Sequence, residues 1–182
     1  SSLGVRAPDR VDVDVPSDLR GRTLGADYVL IYHPEYHEAA QRLADWRVTS
    51  KGGALRVALV DVTDVYDEYS HGTVSPWAIK DFLRDAFVTW AAPPLSYVVI
   101  LADGTLDFYG VDEELYPEAP ELMGHIPTHY VWTIHGQTAS DHWFTTVSGV
   151  DPLPDFFLGR LPVDSQEDAR AVVDKIIAYE SN

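Results

Sequence analysis

Several side chains of this 182-residue chain have the types and spacings that chemistry uses, and each spacing has a geometric consequence. His33 and His37 stand four apart, which on a helix would offer two imidazoles to one zinc ion. Pro34 places His33 ahead of the first turn, so the pair reads as a capping His33 and an exposed His37. His125 and His129 flank a proline in extended chain and offer no better metal spacing. Ser140-Asp141-His142 carries the letters of a hydrolytic triad, but adjacent side chains in extended chain point to opposite faces and cannot form a nucleophile, base and orienter in series. His135-Gly136 follows the apolar run Val131 to Ile134 and reads as a turn. Asp107 with Asp112, and Glu113 with Glu114, are acidic pairs for which nothing fixes a carboxylate separation; they read as a solvated face. The chain contains no cysteine, so thiolate chemistry has no nucleophile here.

The acidic set that a fold would position is Asp103, Asp141, Asp151 and Asp155. Asp103 ends an apolar strand, where open α/β sheets place their ligand sites, and Asp151 and Asp155 lie in a Gly/Pro-rich turn. Two readings stand side by side: an oxygen cage for a hard cation such as Ca2+, and a turn whose aspartates bond their own backbone.

The elements around these residues follow from pattern. Tyr28 to Tyr32, Leu55 to Val62 and Tyr97 to Ala102 are near-continuous apolar runs, as expected of parallel strands buried on both faces. Pro34 opens a helix with Ala39, Ala40, Leu43 and Trp46 on one side, ended by Gly52-Gly53. Ser75-Pro76 starts another, with a stripe of Ile79, Phe82, Leu83, Ala86, Phe87 and Trp90. Tyr130 to Ile134 and Trp143 to Val147 read as an antiparallel excursion, and Phe156 to Leu158 as a last buried strand. Ser165 with Asp168 approximates a capping box before a closing helix whose Ala169, Val172, Val173, Ile176 and Ile177 face the sheet. The expected architecture is α/β: an open, mostly parallel sheet with helices on both faces and right-handed crossovers, plus a small antiparallel excursion. Residues 1–25 read as a linker with an edge strand at Val11 to Val15, 26–182 as one domain, and 104–125 as a long acidic loop.

Thirteen basic against twenty-nine acidic side chains give a net charge of −16, which repels phosphate backbones and argues against a nucleic-acid partner. No apolar run is long enough to span a bilayer.

The block from Ser140 to Val163, with Gly159-Arg160-Leu161-Pro162 at its end, resembles the close of the first lobe in gingipain-type cysteine peptidases of the caspase and legumain clan. The likeness extends through Asp174 to Glu180, where that family ends the lobe with a helix finishing in Tyr-Glu, and backwards through Tyr97 to Gly104, Pro76 to Leu83, Val65 to Gly72 and Asp27 to Tyr32. The resemblance implies a secreted or cell-surface parent. Its nucleophilic cysteine, catalytic histidine and specificity pocket would all lie in a second lobe of the same chain, acting on protein and peptide substrates. On that implication the present chain is a noncatalytic N-terminal subdomain; a stand-alone binding or assembly module is the alternative. In the clan the catalytic histidine sits in a His-Gly pair beyond the Tyr-Glu helix, whereas His135-Gly136 comes before Gly159-Arg160. The resemblance also implies structural Ca2+ at Asp103 and Asp155, with carbonyls around Ser148 to Asp151. It leaves Tyr179 facing a second lobe.

Overall fold

The computed structural model describes residues 17–21, 25–92, 94–105 and 125–182. In chain order the elements are β1 (Tyr28–Tyr32), α1 (His37–Val48), β2 (Val57–Asp61), α2 (Val62–Ser70), α3 (Pro76–Thr89), β3 (Tyr97–Leu101), β4 (Tyr130–Thr133), β5 (Gly136–Ala139), β6 (Phe157–Leu161) and α4 (Gln166–Ser181). Every residue of β1 is buried, as a strand covered on both faces must be. It is flanked by β2 and β3, and β6 adds beyond β3, giving a parallel sheet in the order β2-β1-β3-β6. The chain steps outward from β1 to β2, then returns past β1 to β3. Right-handed crossovers in opposite directions place their helices on opposite faces, and α1 accordingly packs with α4 while α2 packs with α3. This is the expected α/β sheet with both faces covered.

The predicted caps form. Ser75 Oγ accepts from Trp77 N at 3.2 Å with Pro76 in the first helical position, and Ser165 Oγ accepts from Asp168 N at 3.1 Å ahead of α4. In α4, Ala169 and Val173 are buried and Val172, Ile176 and Ile177 pack against the core edge.

Four elements differ from expectation. Residues 62–70 form a helix of their own, because Asp61 Oδ1 accepts from both Thr63 N (2.8 Å) and Thr63 Oγ1 (2.7 Å) and so caps a turn that buries Val62, Val65 and Tyr66. The antiparallel partner of β4 is the polar segment β5, reached through a tight turn in which Gly136 holds φ +99°. Trp143 to Val147 is not a strand: Asp141–Thr145 makes a 3₁₀ turn, closed by Thr145 Oγ1 to the His142 carbonyl at 2.7 Å, that sinks Phe144 completely. The last strand also starts one residue later than expected and leaves Phe157 72% exposed.

The proposed edge strand at Val11 to Val15 and nearly all of the acidic loop lie outside the described residues. Within the proposed linker, Ser17 to Gly21 is docked. Glu68 accepts from Ser17 Oγ (2.6 Å), Leu19 N (2.7 Å) and Arg20 N (3.0 Å).

Candidate functional site

β1 and β3 leave the sheet side by side, Tyr32 opposite Leu101, at the point where the winding reverses. The crevice outside such a reversal is the usual ligand position in open α/β sheets. Here it contains a cavity of about 260 Å³ lined by His33, Thr63, Tyr66, Asp67, Thr105 and His125, with Val62, Gly72 and Val74. His33 Nδ1 accepts from Glu35 N at 3.3 Å, so the proton of the neutral ring sits on Nε2. Burial pulls the His33 pKa below its ordinary value despite the nearby carboxylates of Glu35 and Asp61. Tyr66 is 5% exposed and its Oη has no hydrogen-bond partner; burial raises its pKa.

Asp103 lies at the same edge. Its Oδ1 accepts from Gly104 N at 2.7 Å, and an isolated parallel bridge ties it to His125. Asp155 lies at the other end of the sheet. The registers pair Tyr97 with Phe157 and Leu101 with Leu161, so Asp155 precedes these strands and Asp103 follows them. At about 3.3 Å per residue the two are on the order of 20 Å apart. Asp155 Oδ2 accepts from Val147 N and Ser148 N at 2.8 Å each, and Asp151 Oδ1 accepts from Leu153 N at 2.9 Å. These aspartates bond the backbone of their own turn, which Gly149 closes at φ +73°. Asp103, Asp151, Asp155 and Ser148 therefore do not converge, and they do not fit a shared Ca2+ cage.

Asp141, the remaining member of the acidic set, belongs to a clamp. Arg160 donates to it through Nε (2.7 Å) and Nη2 (3.0 Å), and Thr128 Oγ1 adds a third bond at 2.7 Å. Arg160 Nη1 also donates to the carbonyls of Ile126 (2.9 Å) and Ala102 (3.2 Å), tying β6 to the carboxyl end of β3 and the approach to β4. The two side chains are only 11% and 25% exposed. Burial by itself would raise the Asp141 pKa; the Arg160 bonds and charge, with Thr128, outweigh it and hold the carboxyl below the usual range.

The other histidine readings resolve one by one. His37 Nδ1 meets Tyr32 Oη at 2.9 Å, so His33 and His37 do not share a ligand. His142 Nε2 donates to the Pro152 carbonyl at 2.9 Å, away from Ser140, so Ser140, Asp141 and His142 form no relay. His129 stacks on Trp143 at 3.9 Å, its pKa lowered by burial and by Lys80. His135 sits in the hairpin turn. Sequence reasoning did not single out Tyr66 or bring His125 to Asp103; a Tyr on an unrecognised helix and a one-residue bridge leave no periodic signal.

The model of peptidase family C25 matches residues 22–182. The chain belongs to peptidase family C25. Among solved structures, the dimeric latent PorU of Porphyromonas gingivalis superposes with a TM-score of 0.69 and 24% identity, covering 88% of this chain and 16% of that one. The complex of RgpB pro- and mature domains from the same organism gives 0.61 and 21%, covering 84% of this chain and 28% of that one. These likenesses speak for the fold, and the chain spans well under a third of either protein. No curated protein sequence matches it.

The residues of this C25 chain hold no sulfur nucleophile, although its family is one of cysteine peptidases. Outside the crevice His37, His129, His135 and His142 are engaged in packing or turns, and Thr145 Oγ1, 3.5 Å from His142 Nδ1, donates to the His142 carbonyl at 2.7 Å. Among the described residues no helix is long and apolar enough to cross a membrane.

Proposed function

We propose that the chain is the noncatalytic N-terminal subdomain of a secreted or cell-surface C25 cysteine endopeptidase, and that it supports and orients a catalytic lobe of the same parent chain. The observation that carries this reading is the family match over 22–182 in a sequence without cysteine. The thiolate, the catalytic histidine and the contacts to protein or peptide substrates belong, on this reading, to the other lobe. The packing supports a framework role. The Arg160 clamp fixes the end of the sheet, and Glu180 fixes the end of α4 by accepting from Arg47 Nη1 (2.7 Å), Arg47 Nη2 (3.0 Å) and Trp46 Nε1 (2.6 Å). Surfaces for a neighbour remain: Tyr179 is 84% exposed beside that anchor, and Phe157 stacks in the open on Tyr97 with ring centroids 5.7 Å apart. A shared Ca2+ cage is no part of this function.

The test compares the chain alone with the longest natural polypeptide that contains it, both assayed on peptide libraries. Hydrolysis by the longer protein that a thiol alkylator abolishes, with none by the chain alone, is the expected result. A longer protein that has no cysteine lobe and no peptidase activity would overturn the reading in favour of a binding or assembly module.

A further inference from the structure

His125 carries an unsatisfied nitrogen at the sheet's carboxyl end. Its Nδ1 is buried and makes no hydrogen bond, and its Nε2 lies 3.9 Å from Asp164 Oδ1, beyond hydrogen-bond reach. A buried imidazole nitrogen without a bond is costly unless something else engages the ring. Asp103 and Asp164 are its neighbours, and one ligand atom from each of the three lies within 4.8 Å of the others. We propose that Asp103, His125 and Asp164 form a site for a divalent transition-metal ion of the zinc class, open on one side to the crevice cavity.

The donor set selects the metal. One imidazole nitrogen with two carboxylate oxygens suits zinc and its neighbours, whereas Ca2+ takes six to eight oxygens and Mg2+ keeps its water. Bonds of about 2.1 Å around a tetrahedral ion put ligand atoms about 3.4 Å apart, so the three must draw together by roughly 1 Å. Asp164 can supply that movement, since its side chain is 73% exposed and held by no other ion pair among the described residues. Two carboxylates balance the ion's charge. The nearby Arg160 guanidinium, which reaches the Asp103 carbonyl at 3.4 Å, is already neutralised by Asp141.

A second observation points to the same place. His125 also lines the cavity of about 260 Å³, on whose wall stands Tyr66, 5% exposed with its Oη unpartnered. Three protein ligands leave a fourth position for a metal-bound water or a small exchangeable ligand, and the cavity that His125 lines is the space beside it. The proposal rests on this chain's own residues and not on the subdomain reading, so either can fail without the other.

The test is calorimetric titration of chelator-stripped chain with Zn2+, with Co2+ as the spectroscopic probe. One Zn2+ per chain should bind at least tenfold more tightly than Ca2+ or Mg2+, and Co2+ should give visible bands of low-coordinate geometry. Asp103→Asn, His125→Gln and Asp164→Asn should each weaken Zn2+ by roughly tenfold or more, while His37→Gln leaves it unchanged. Asp164→Asn is decisive if the buried variants fold poorly, because that exposed side chain can be changed without disturbing the core. Zn2+ affinity unmoved by Asp164→Asn, or matched by Ca2+ and Mg2+, would overturn the proposal.

Discussion

Two acidic groupings share the carboxyl end of the sheet, and they are built on opposite terms. Around Asp141 every polar group is answered: Arg160 binds it through two nitrogens, Thr128 adds a third bond, and the remaining guanidinium hydrogens go to backbone carbonyls. Around His125 the buried Nδ1 finds no hydrogen bond, Asp164 points largely into solvent, and Tyr66 Oη has no partner on the wall of the adjoining cavity. A satisfied buried network locks one arrangement of the chain, whereas an unsatisfied one keeps a cost that a ligand can relieve. The first grouping is the fold's fastener and the second is its vacancy for chemistry, although sequence alone gives both the same letters.

The contrast breaks most visibly at Arg160. Arg160→Leu leaves Asp141 buried without its cation, which costs on the order of 3–5 kcal/mol. For a domain of this size that lowers Tm by roughly 10 °C, measurable by calorimetry. The same clamp sets a pH dependence. Because the folded Asp141 pKa is depressed, its contribution is present above the ordinary carboxylate range and lost as pH falls through the folded value. Urea midpoints measured from neutral to acidic pH should show that loss, and Asp141→Asn should remove its share of the slope.

A smaller effect is expected at Lys80, which is 7% exposed, donates to the Trp143 carbonyl at 2.7 Å and lies 4.2 Å from that ring's centroid. Lys80→Met keeps the stem but removes the charged donor and leaves the carbonyl only Thr146 Oγ1 at 3.2 Å, a loss of about 2 kcal/mol in chemical denaturation. The Glu180 anchor is worth less, about 1–2 kcal/mol for Glu180→Ala, because both partners are partly open to water. The smallest change sharpens the metal argument. Asp155→Asn should cost about 1 kcal/mol through its two backbone bonds, and it should leave Tm indifferent to millimolar Ca2+ just as in the parent. A Ca2+-dependent rise in Tm that Asp155→Asn abolishes would restore the turn as a cation site.

Much of the architecture was legible because it rests on local rules. The runs at Tyr28 to Tyr32 and Tyr97 to Leu101 announced buried parallel strands, and Ser75-Pro76 and Ser165 announced helix starts. α2 was missed because its cap, Asp61, is also the last residue of a strand, so the helix begins with no loop to mark it. β5 was missed because Gly136 to Ala139 is polar and exposed, and only pairing with β4 makes it a strand. The site was half legible. Asp103 was found from its place at a strand end, but its partners come from an isolated bridge to His125 and from Asp164 beyond β6, contacts that exist only once the strand order is known. Asp155 was misassigned as a partner of Asp103 because sequence places both at strand ends without saying which end of the sheet each end occupies.

The central claim is that this C25 chain supplies framework and not a nucleophile. Peptide hydrolysis by the pure chain, measured against the longer polypeptide before and after thiol alkylation, tests it most directly. The account predicts no turnover by the chain under any condition and alkylator-sensitive turnover by the longer protein; turnover that stays with the chain through purification would contradict it.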